Sequence, residues 1–140
     1  MYEAWVDGSV RGGNPGVGGI GVYIERDGYE VFRFASLIGD GNVTNNEVEY
    51  ASIIFVLKHL DFINFKNEDC KIHTDSALVH GQVIKNWKCN FAHLRKLRDE
   101  VKRLLNVPFK VEILWSGRLT NEIANELAQA VTAEELKKRG

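Results

Sequence analysis

The hydrophobic period of this chain changes at Thr44, and that change constrains the fold more than any other feature. Before it, residues 2–9 read as a strand, Val22-Tyr23-Ile24 as part of a second closed by a turn at Asp27-Gly28, and residues 30–38 as a third. Thr44 and Glu47 then form the T-x-x-E pattern of a capping box, in which a hydroxyl and a carboxylate satisfy the first free amides of a helix. The apolar residues that follow, Tyr50, Ile53, Ile54, Leu57 and Leu60, are spaced 0, 3, 4, 7 and 10, the stripe of a helix laid against a core. From there strands and helices alternate. Residues 70–74 read as a short strand, 76–84 as a short helix, and Leu94, Leu97, Val101, Leu104 and Leu105 mark a further helix. Pro108 breaks the chain before a strand at 110–115, and Ala124, Leu127, Ala128 and Val131 form the stripe of a last helix with Asn121 as its N-cap. A meander followed by alternation predicts an α/β fold with a mixed five-stranded sheet flanked by helices.

A chain of 140 residues, 44% of them hydrophobic, can bury one core and leaves no room for a second domain of typical size, so residues 1–140 are expected to be a single domain. The first apolar stretch is too short and too interrupted for a signal peptide or a membrane span, which predicts a cytoplasmic monomer with no membrane partner. Cys70 and Cys89 sit in different elements without metal-ligand spacing and are expected as buried or free thiols. The net charge of -1 excludes a globally basic nucleic-acid binder. Its distribution is uneven, however: Lys85, Lys88, Arg95, Lys96, Arg98, Lys102 and Arg103 face only Asp99 and Glu100 over one stretch, a candidate contact for a phosphate backbone. The run Gly16-Val17-Gly18-Gly19-Ile20-Gly21 satisfies G-x-G-x-x-G, yet β-type residues follow where a dinucleotide site needs a helix. These glycines fit better as a turn and a close backbone approach.

Three acids sit at the ends of elements expected to meet. Trp5-Val6-Asp7-Gly8-Ser9 leaves the first strand, Asn45-Asn46-Glu47-Val48-Glu49 opens the first helix, and Ile72-His73-Thr74-Asp75-Ser76 closes a later strand. Two carboxylates about 5 Å apart repel by roughly 3 kcal/mol at an effective dielectric near 20, so such a cluster needs protons or cations. Oxygen ligands with no paired His or Cys favour Mg2+ or Mn2+ over Zn2+. Two ions about 4 Å apart can activate a water and stabilise the leaving oxygen of a phosphodiester.

These signatures, in this order, resemble the type 1 ribonuclease H family through about residue 131. The resemblance implies a ribonuclease H-like fold and an endonuclease that cuts the RNA strand of RNA–DNA hybrids with two Mg2+ or Mn2+ ions bound by Asp7, Glu49, Asp75 and residue 125. That last position departs from the family, with Asn125 where Asp is usual; a hybrid-binding module with weak or no catalysis is the alternative it leaves open. The resemblance further implies that Asn14, Asn45 and Asn46 read 2′-hydroxyls and base edges in the minor groove, and that the glycines approach that groove. Thr44 would hold a phosphate of the DNA strand, and Ser76 would follow the family pattern beside Ala77, where many members carry Gln. Arg118 stands where members have a mobile His or an Arg and would meet the scissile phosphate during product release.

Overall fold

A computed structural model of the chain describes residues 1–64 and 66–139, with the backbone alone at Arg118. Its elements run β1 (Tyr2–Arg11), β2 (Gly16–Arg26), β3 (Tyr29–Val43), α1 (Asn45–Ile63), β4 (Cys70–Thr74), α2 (Ala77–Ile84), α3 (Ala92–Leu104), β5 (Val111–Trp115), a 3-10 turn (Arg118–Asn121) and α4 (Glu122–Arg139). The strands form one five-stranded sheet in the order β3-β2-β1-β4-β5. β1, β2 and β3 are antiparallel, and β4 and β5 run parallel to β1, so the sheet is mixed as the sequence predicts. The β2–β3 hairpin turns through Asp27 and Gly28, both at positive φ (51° and 87°), the backbone that a tight two-residue Asp-Gly turn requires.

α1, with α2 and α3, covers one face of the sheet, and α4 covers the other. Ala4, Val6, Ile20, Val22, Ile24 and Ile72 from the strands pack against Tyr50, Ile53, Leu57 and Leu60 of α1, Val79 of α2 and Val101 of α3. Burial of such a side chain contributes about 1.5–3 kcal/mol, which makes this face the source of the tertiary stability that seats α1. The cap of α1 forms as its sequence implies: Thr44 Oγ1 accepts from Glu47 N, and Glu47 Oε1 accepts from Thr44 N at 3.0 Å.

Two sequence expectations are corrected. The glycines of residues 16–21 are not a turn leading to a strand; they are the first half of β2. Their use is internal. A Cβ on Gly21 would lie 2.1 Å from Ala124 O and 2.7 Å from Ala128 N, so the missing side chain lets the backbone of α4 settle on the sheet. The second concerns Asn121, which is fully buried at the end of the 3-10 turn and does not act as a simple N-cap. Its Nδ2 donates to Val6 O at 2.8 Å and His73 O at 3.3 Å, while its Oδ1 accepts from Ser116 Oγ at 3.2 Å. One amide thus ties β1 to β4 one residue before Asp7 and two before Asp75. Asn121→Ala leaves those carbonyls without their buried donor and is expected to cost about 1–3 kcal/mol, read from urea unfolding. A change below about 0.5 kcal/mol would show that the tie is dispensable.

Candidate active site

Asp7 and Asp75 meet because of strand register. β1 and β4 are parallel neighbours paired Tyr2↔Cys70 through Trp5↔His73, and carrying that register two residues further sets Asp7 beside Asp75. Glu49 arrives from the second turn of α1, whose approach depends on Gly8. A Cβ there would fall 2.5 Å from Val48 Cγ2 and 2.9 Å from the Val48 backbone carbon. The bare amide of Gly8 also serves two acids at once, donating to Asp7 Oδ1 at 2.9 Å and Glu49 Oε1 at 3.2 Å. Ligand atoms of Asp7, Glu49 and Asp75 all lie within 4.8 Å of one another, and Asp7 is buried. Asn125, in the second turn of α4, donates from Nδ2 to Asp7 Oδ2 at 2.6 Å.

The cluster opens into a polar cleft of about 370 Å3 lined by Asp7, Gly8, Ser9, Val10, Asn45, Glu49, Asp75, Ser76, Asn125 and Gln129. Asn45, Ser76 and Asn125 therefore share one hollow with the acids. Asn14 joins through its Oδ1, which accepts from Asn45 N at 3.0 Å and pins the β1–β2 hairpin to the start of α1. Thr44 and Asn46 flank Asn45 in the same turn. The hydroxyl of Thr44 is taken up by Glu47, and Ser76 Oγ accepts from Val79 N as the N-cap of α2. The side chain of Arg118 lies outside the described residues. Gln129 was not singled out in the sequence; it stands four residues after Asn125, one helical turn along the same face of α4, and that spacing is the signal that would have found it.

The basic run between Lys85 and Arg103 is not one cationic face. Arg98 pairs with Asp99, Arg103 pairs with Glu100, and Arg95 donates to the carbonyls of Cys89 and Asn90. Lys96 lines an apolar groove with Ile38, Ile54 and Phe55 between α1, α3 and β3, whereas Lys85 stands beside Trp87 and Trp115 near α2 and β5. A helix turns its side chains all round its axis, so a charge run in sequence is divided among several surfaces.

The cluster suits a hard divalent cation on two grounds. All its donors are oxygens, and Glu49 Oε2 is buried without a hydrogen-bond partner, an orphan that a cation would satisfy. Burial, then the charges of Asp7 and Asp75, push the Glu49 carboxyl well above its ordinary value of 4.5, against the opposing pull of the Gly8 amide. An acid raised on folding takes up a proton as the chain folds, so Glu49 favours the metal-free fold most below its ordinary value of 4.5, and that contribution is lost as pH rises through the elevated value. Glu49→Gln is expected to flatten that slope in thermal melts in EDTA, and saturating Mg2+ is expected to flatten it in the parent. An identical slope in parent and variant would remove Glu49 as its source.

Comparisons with known proteins agree with this arrangement. A family model described as reverse transcriptase-like matches residues 5–131. The chain is 35% identical to ribonuclease HI of Halobacterium salinarum over 90% of its own length, spanning 61% of that relative. It is 30% identical to ribonuclease H of Francisella tularensis subsp. novicida, with 94% of this chain and 90% of that one covered. The crystal structure of LC11-RNase H1 in complex with RNA/DNA hybrid superposes with a TM-score of 0.86 at 26% identity, covering 97% of this chain and 99% of that one. With a sheet order, an acid cluster and a chain-long similarity that agree, the protein belongs to the ribonuclease H family.

Proposed function

We propose that the protein is an endonuclease that hydrolyses the RNA strand of RNA–DNA hybrids, leaving a 3′-hydroxyl and a 5′-phosphate, and that residues 1–140 work as one catalytic domain. The observation that carries this reading is the cluster of Asp7 midway along β1, Glu49 in the second turn of α1 and Asp75 just past β4, in a chain of the ribonuclease H family. These three side chains would hold Mg2+ or Mn2+, with the carboxamide oxygen of Asn125 available beside them. Two such ions, when bound, supply an activated water and charge stabilisation at the leaving oxygen.

The chain's own residues do the rest of the work. The Gly8 amide and the Asn125 carboxamide fix the rotation of Asp7, so its oxygens are already aimed when substrate arrives. Asn14 spends only its Oδ1 on Asn45, which leaves its amide hydrogens, together with the side chains of Asn45 and Asn46, for the 2′-hydroxyls and base edges of the minor groove. Recognition of the 2′-hydroxyl distinguishes RNA from DNA without reading sequence. Thr44 is assigned to a phosphate of the DNA strand, Ser76 to the substrate edge near Asp75, and Arg118 to the scissile phosphate during product release. A cytoplasmic, monomeric enzyme is the reading that Cys70 and Cys89, both buried and unbridged, support. No helix among the described residues is long and apolar enough to cross a membrane.

A second reading, a hybrid-binding module with little catalysis, is favoured by one contact: the Asn125 nitrogen, not its oxygen, faces Asp7. Incubation of labelled RNA–DNA hybrid, duplex DNA and duplex RNA with the protein in Mg2+ and in Mn2+ separates the two. Cleavage confined to the RNA strand of the hybrid is expected, with Asp7→Asn abolishing it while hybrid binding persists. Binding without cleavage in either metal would support the module, and turnover of Asp7→Asn within tenfold of the parent would remove Asp7 from the chemistry. Lys85 stands beside Trp87 and Trp115, apart from the paired arginines of α3, so its replacement by Gln together with Lys88 is expected to weaken hybrid binding and lower its salt dependence by up to about one log unit of slope per lost phosphate contact. The same change at Lys96 should leave the slope unaltered.

A further inference from the structure

At 2.6 Å from a carboxylate oxygen, the Asn125 carboxamide can only present its nitrogen, because an amide oxygen at that distance would set two acceptors against each other. Asp7 is thereby donated to on both oxygens, Oδ1 by the Gly8 backbone and Oδ2 by Asn125. Glu49, by contrast, keeps Oε2 buried with no partner. Of Asp7 and Glu49, the acid with a donor on both oxygens is Asp7, on the central strand β1. The rigid seat of α4 makes the Asn125 contact reproducible: Gly21 brings the helix backbone against β2, and Thr132, two turns beyond Asn125, meets Ser9 Oγ at 3.1 Å and Arg11 Nε at 3.3 Å on β1. α4 is thus seated on β2 through Gly21 and on β1 through Thr132.

We infer that Asn125 is a positioning residue that works through its nitrogen, donating to Asp7 and holding the carboxylate in place before any cation binds. A fourth carboxylate at this position would add a like charge to the cluster and would need a cation to become tolerable. The carboxamide supplies a donor in its stead, so the site stays assembled while empty. The part of this inference that concerns the metal-free protein is independent of the proposed activity; the part that concerns cation affinity rests on reading Asp7 as a ligand.

A double-mutant cycle between positions 7 and 125, followed by urea unfolding in EDTA, tests the first part. Hydrogen bonds to charged groups contribute about 1.5–3 kcal/mol, so Asn125→Leu is expected to raise the unfolding equilibrium constant at least about tenfold in the parent and by less than about threefold in an Asp7→Ala background. Equal effects in the two backgrounds would overturn the inference. Should Asn125→Leu not fold, the parent decides alone: in its NMR spectrum in EDTA the side-chain amide protons of Asn125 are expected to exchange slowly and to lose that protection in Asp7→Ala. Protection unchanged by Asp7→Ala would also overturn it.

Asn125→Asp supplies the readout that a packing role would not move. This near-isostere lacks the donor, so it is expected to melt below the parent in EDTA and to recover to or above it as Mg2+ alone is titrated. In calorimetry Asn125→Leu should bind Mg2+ about tenfold more weakly than the parent. Coincident EDTA melts of parent, Asp and Leu forms would mean that residue 125 acts as a ligand or not at all. A normal metal-free coupling with no change in Mg2+ affinity would instead leave the donor role standing and remove the cation reading of the site.

Discussion

The parallel register of β1 on β4 is the constraint on which the rest of the structure depends. It aligns Trp5 with His73 and so sets Asp7, midway along β1, beside Asp75, just past the end of β4. Left alone, two carboxylates at the 4.8 Å limit of this cluster repel by about 3 kcal/mol at an effective dielectric near 20. A third, Glu49, arrives on α1 because a buried apolar stripe drives that helix onto the sheet. Core packing on one face therefore outweighs electrostatic repulsion among the acids, a balance that gathers carboxylates where a cation can act.

Backbone and amide donors of the surrounding chain offset part of that repulsion at Asp7 and Glu49. Gly8 donates to two acids from one N–H, a role open only to a residue whose lack of a side chain lets α1 come close. Asn121 binds the ends of β1 and β4 through two carbonyls, and Asn125 reaches Asp7 from the opposite face of the sheet. None of these groups adds a positive charge. They leave the carboxylate oxygens of the cluster facing the cleft, where a divalent ion can reach them.

What the sequence made legible is what local physics decides. The capping box at Thr44, the stripe of α1 and the Asp-Gly turn all follow from residues within a few positions of one another, whereas Asp7, expected where the first strand ends, lies midway along a β1 that runs on to Arg11. The misreadings share an opposite cause. Asn121 has the residue type of an N-cap, but its partners Val6 and His73 lie 115 and 48 positions away, and only the assembled sheet brings them within reach. Gly16 to Gly21 look like a loop by propensity, yet they form half a strand in which Gly19 and Gly21 leave room for α4 and Gly18 leaves room for Val43 and Val48. The basic run divided for the same reason: spacing shows where charges fall along the chain, and tertiary packing decides which of them are already paired. Asn125 was recognisable as the residue that departs from the family; the direction of its amide was not.

The most direct test of the cation site is anomalous scattering from crystals of the protein soaked in Mn2+. A difference peak coordinated by carboxylate oxygens of Asp7, Glu49 and Asp75, with the Asn125 nitrogen still on Asp7 Oδ2, is the expected result. A fully loaded crystal with no manganese between β1 and β4, or with manganese bound only at the exposed acids of other surfaces, would contradict it.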